Sequence, residues 1–81
     1  MNINNLPDKD SLFETVVVSA NDELVKMFLE KKIKFVDISK TLLKIIKLKE
    51  FVKLKKIIPK NVQQVNKLAN YVSLKINIMS I

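Results

Sequence analysis

Residues 28–38 read Phe-Leu-Glu-Lys-Lys-Ile-Lys-Phe-Val-Asp-Ile, and inside them one helix ends and the next begins. Upstream, the apolar positions Phe13, Val16, Val17, Ala20, Leu24, Met27 and Phe28 recur at spacings of three and four, which is one face of a helix running from Leu12 to about Lys31. Its other face carries Thr15, Ser19, Asp22, Lys26 and Glu30, with Asp22–Lys26 and Lys26–Glu30 spaced as i, i+4 charge pairs. The β-branched run Val16–Val18 also suits a short strand, but the longer period decides for helix. Ile33 and Phe35 lie in the connection and are expected to dip into the core. Asp37 is placed as the N-cap of the second helix, its carboxylate accepting the free amides of Ser39 or Lys40.

Downstream, Ile38, Leu42, Ile45 and Ile46 share one face and Lys40, Lys44 and Lys47 the other. The phase then breaks, because at 100° per residue Leu54, Ile57 and Ile58 fall where Lys40 and Lys47 lay. A kink or short loop near Leu48–Glu50, followed by a brief helix to Ile58 that Pro59 stops, accounts for the shift. The alternation KLKEFVKLK over 47–55 would also suit an edge strand, although no partner strand is evident. Beyond Pro59, Asn61 is a plausible cap. Val62, Val65, Ala69, Val72 and Ile76 form a stripe with Leu68 and Met79 beside it, opposite Gln63, Asn66, Asn70, Ser73 and Asn77. The chain therefore reads as all-α, a small bundle of three main helices (about 12–31, 37–48 and 61–78) with a short helix or irregular segment near 50–58. Residues 1–11 read as a flexible lead-in and 12–81 as a single helical domain, either whole or a fragment of a longer enzyme.

Composition narrows the chemistry. The 81 residues contain no cysteine, histidine or glycine, so disulfides, thiolate metal sites, histidine acid–base chemistry and glycine-rich phosphate loops are all unavailable. Asp22 and Glu23 beside Asn21 invite a metal-site reading, but neighbouring helical residues point about 100° apart and no third ligand is obvious. Ordinary surface charge is the simpler account. No segment approaches the roughly 20 apolar residues that span a bilayer, and Met1–Asp10 lack the pattern of a secretory signal. An intracellular protein is expected, in a bacterial cytoplasm or a plastid-type organelle.

The net charge of +7 invites nucleic acid or anionic lipid. All fifteen basic residues are lysine, however, a usage that an AT-rich coding bias produces, and the absence of arginine weakens the case for bidentate phosphate or guanine recognition. Charge is also uneven. Residues 1–30 hold two lysines against six acidic residues, a balance of −4, and residues 31–81 hold thirteen against two, a balance of +11. Lysines 44–56 alternate with apolar residues as membrane-surface helices do, but the phase break denies them one clean polar face. A core with solvated lysines around it is the better account.

The stretch 16–38, VVVSANDELVKMFLEKKIKFVDI, resembles the opening of the C-terminal helical domain of 1-deoxy-D-xylulose-5-phosphate reductoisomerases. Ala20, Asn21, Val25, Phe28, Leu29, Lys32, Ile33, Phe35, Asp37 and Ile38 fall on identical positions of the family wording. Val18 stands where the family has asparagine, and Lys31 where it has the glycine that closes the first helix. In the left-handed conformation Lys31 would cost on the order of 1 kcal/mol, so either the cap differs or stability is lost. The resemblance implies an NADPH- and divalent-cation-dependent enzyme (Mg or Mn) of the methylerythritol phosphate route to isoprenoids. Its cofactor, metal and catalytic residues lie outside this chain, and none carries over to any position here. It also implies the catalytic domain of the same enzyme as partner in cis, with Asn21, Phe28, Ile33, Phe35 and Asp37 as candidate docking or structural residues. Asn21 reads first as a hydrogen-bonding residue that fixes helix packing or a neighbouring loop, ahead of direct substrate contact, and Asp37 as a structural cap. A free-standing basic module that binds nucleic acid, a membrane surface or an acidic protein is the rival from another class, and a degenerate remnant is a third.

Overall fold

The computed structural model describes residues 11–79. The lead-in expected over 1–11 lies outside the described residues except for Ser11. That residue is buried and caps the first helix, its hydroxyl accepting from the Glu14 amide at 3.4 Å. The elements are α1 (Leu12–Leu29), α2 (Phe35–Ile46), the single-turn α3 (Lys49–Val52), a 3₁₀ turn (Lys53–Lys56) and α4 (Val62–Ile78). No strand forms among the described residues. The architecture is the expected all-α bundle.

α1 is its hub, packed against α2, α3, the 3₁₀ turn and α4. Val16, Ala20 and Leu24 are fully buried along its inner face and meet Ile45 from α2, Phe51 from α3, and Val72 and Ile76 from α4. The start of α1 is stitched to the far end of the 3₁₀ segment, where the Leu12 amide donates to the Ile57 carbonyl at 2.7 Å. α4 begins as its sequence suggests. Asn61 Oδ1 accepts from the Gln64 amide at 2.8 Å, and Gln64 Oε1 in turn accepts from the Lys60 amide at 2.7 Å. Together these satisfy two backbone donors just at and before the helix start.

The junction at 28–38 closes α1 in the way glycine-capped helices do, with lysine in the glycine's place. Lys31 has φ 64°, the one positive φ among the described residues. Around it the Lys32 amide donates to the Met27 carbonyl and the Lys31 amide to the Phe28 carbonyl, each at 2.9 Å. This is the paired closure that normally recruits glycine. The backbone geometry is thus preserved at the expense of a Cβ in the left-handed region.

Two expectations at this junction are corrected. α2 starts at Phe35 instead of Asp37, and Asp37 is its third residue instead of its N-cap. The Asp37 carboxylate reaches back to accept from the Lys34 amide at 2.9 Å, which is the returning half of a capping box; Lys34 has no side-chain acceptor to supply the other half. Because the helix begins two residues early, Phe35 sits on its first turn and is 71% exposed instead of entering the core. Ile33 does pack against the core cluster.

Further along, α2 buries Thr41 and Ile45. The phase break falls where the wheel places it: α2 stops at Ile46, Leu48 is extended, and α3 follows. Val62, at the start of the predicted α4 stripe, is 72% exposed because the first turn of α4 projects beyond the core. The expected Asp22–Lys26 and Lys26–Glu30 ion pairs do not close among the described residues, and Glu30 pairs with Lys32 at 3.4 Å.

Candidate functional site

The five candidate residues separate into two groups. Asn21 is exposed on α1, and Phe28 and Phe35 meet edge to face with ring centroids 5.6 Å apart, Phe35 open to solvent. Ile33 and Asp37 serve the domain itself, one as core and the other as helix-start acceptor. Two further surface positions on α1 are Val18 at 50% exposure and Leu29 at 71%. Their signal is present in the wheel, where they fall opposite Ala20 and Leu24, but it is masked by the β-branched run around Val18 and by the helix end at Leu29.

The polar groups that are brought together form a clasp instead of a reaction centre. Glu50, from α3, accepts from the Tyr71 hydroxyl at 2.7 Å and from the Lys75 ammonium at 2.6 Å, both on α4. The Lys75 hydrogen bond, then that of Tyr71, holds the Glu50 carboxyl below its ordinary range, and the same contacts raise Tyr71 and Lys75. Phe51 and Tyr71 meet edge to face at 6.0 Å just beneath. A second tie joins α4 to α1, where Asn77 donates to Glu23 at 2.9 Å and to the Ser73 carbonyl at 2.8 Å. Sequence reasoning singled out neither tie. The available signal was that Glu50 is the last acidic residue in a lysine-rich half.

Surface depressions carry little chemistry. One of about 260 Å³ opens among Lys60, Asn61, Gln63, Gln64 and Lys67, and one of about 370 Å³ among Ser11, Phe13, Lys55 and Lys56, where the Lys55 ammonium sits 5.2 Å over the Phe13 ring. Among the described residues no three aspartates, glutamates, histidines or cysteines converge. The donor set does not fit a divalent cation, and no metal-dependent step is derived through this chain.

These features define a small helical domain whose buried groups and polar ties are used to pack its own helices, with a partly apolar outer surface left over. Its family is known: the DXP reductoisomerase C-terminal domain matches residues 4–75, and the chain belongs to that family. It is also similar to the 1-deoxy-D-xylulose 5-phosphate reductoisomerase of Pelagibacter ubique (strain HTCC1062), with 57% identity over 79 residues. That alignment covers 98% of this chain and 20% of the relative, so the chain spans about a fifth of the relative's length. No solved structure matches it. No helix among the described residues is long and apolar enough to cross a membrane.

Proposed function

We propose that this chain serves as the C-terminal structural domain of a reductoisomerase that rearranges and reduces 1-deoxy-D-xylulose 5-phosphate on the methylerythritol phosphate route to isoprenoid precursors. In this reading NADPH and a divalent cation are held by the remainder of the polypeptide, in the bacterial cytoplasm. The domain contributes no reacting group and packs in cis against the catalytic part. The 57% identity across nearly the whole chain carries the reading. It is supported by the match of the family's C-terminal domain over residues 4–75 and by the all-α fold.

The test is the mass of the native polypeptide in its source cells, detected with an antibody raised against this domain. A band several times larger than 9.4 kDa is expected. A band at 9.4 kDa overturns the reading and returns the chain to the class of free-standing modules.

A further inference from the structure

Four neighbours cover the side of α1 that carries Val16, Ala20, Leu24 and Met27. At 100° per residue, Val18, Val25 and Leu29 fall within a sector about 40° wide on the side facing away from them. Val25 is half-buried, Val18 and Leu29 are exposed, and toward the C-terminal end the half-buried Phe28, about 60° round from Val25, carries the exposed Phe35 edge to face and widens the apolar surface. The inner face of α1 already supplies the core, and Val18, Val25 and Leu29 are not part of the core cluster.

We infer that the strip formed by Val18, Val25, Leu29 and Phe35 is the seat of the remainder of the same polypeptide, an inference that rests on the reading proposed above. The length outside this chain supplies the occupant: a relative of which this chain covers 20% leaves about four fifths of its length to be accommodated. Charge selects among alternatives. Glu14, Asn21 and Asp22 flank the N-terminal part of the strip and Lys26, Lys31 and Lys34 its C-terminal part, all exposed, a mixed-sign rim that suits a protein surface better than the uniformly anionic face of a lipid bilayer or a nucleic acid. A second copy fits poorly, because each carries +7 and like net charge opposes association.

The chain has no cysteine, so single reporters are easily placed. Leu29→Cys and Phe35→Cys report on the strip, and Leu74→Cys and Ile78→Cys, on the outer face of α4 at 63% and 82% exposure, serve as controls. Maleimide labelling is followed peptide by peptide, in the 81-residue chain and in the polypeptide as its source cells make it. We expect positions 29 and 35 to label at least roughly tenfold more slowly in the longer polypeptide, the factor that about 1.4 kcal/mol of docking produces, with 74 and 78 unchanged. Equal labelling of 29 and 35 in both overturns the inference, as does protection of 74 and 78 in their place; either result leaves the family reading intact. A native mass of 9.4 kDa removes the occupant, and both readings fall together.

Discussion

Lys31 occupies a position built for glycine. Its φ of 64° and the two amide bonds around it show the helix closure intact, so the energetic cost is local to one Cβ. Lys31→Gly should therefore stabilise the domain by about 1 kcal/mol, read as a higher urea midpoint with unchanged slope. Asp37 offers the opposite test. Losing its bond to the Lys34 amide should cost about 0.5–1 kcal/mol in Asp37→Ala, while docking to the rest of the polypeptide stays unaffected, since the carboxylate is engaged within its own helix. The sequence showed that a helix starts near Asp37. It did not show whether the carboxylate caps forward or backward, because an acidic residue suits both the N-cap and the third helical position.

At the scale of elements, α3 is one turn long and has no stability of its own; Phe51 and Glu50 pin it. Phe51 is 1% exposed and the largest of the fully buried side chains, so Phe51→Ala should cost about 3–5 kcal/mol, enough to abolish a cooperative melt in a domain this small. Glu50 acts by charge. Its carboxyl is depressed in the folded chain, so its stabilisation is complete above its ordinary 4.5 and is lost as pH falls through the lowered value. Tyr71 and Lys75 are raised above 10.0 and 10.5, so their share is complete below those values and lost as pH rises through the raised ones. The difference in urea midpoint between the native chain and Glu50→Gln should accordingly be flat between these limits and shrink on either side, and it should also fall with salt, since Glu50 and Lys75 remain about a third exposed. Periodicity located α1, α2 and α4 because each presents several turns of one face. It left 50–58 open between a short helix and a strand, because one turn of α3 plus one 3₁₀ turn contains too few residues to establish a period. The partners of Glu50 are 21 and 25 residues away, a separation no local pattern reports.

For the whole molecule, a core of this size supports modest stability, and contact with a larger body should add to it. A domain that docks gains the free energy of docking. The helices should therefore unfold at lower urea in the 81-residue chain than within the longer polypeptide, as read by hydrogen exchange at α1 amides; equal protection in both would argue against any docking. Of the candidate residues read from the family wording, Asn21 and Phe35 are exposed, Phe28 is half-buried, and Ile33 and Asp37 serve the domain itself. Whether Ile33 and Phe35 face the core or solvent is set by how the α1–α2 connection is wound, which a linear pattern does not report.

The bond from the Leu12 amide to the Ile57 carbonyl has a mechanical side. Tension arriving through Ser11 would pull on that stitch and on the axis of α1, the helix every other element leans on. The load would be shared in shear across the bundle, where many contacts must slip at once, instead of peeling one element away like a flap. A domain strung in this way would resist being tugged from its N-terminal side better than its small core suggests.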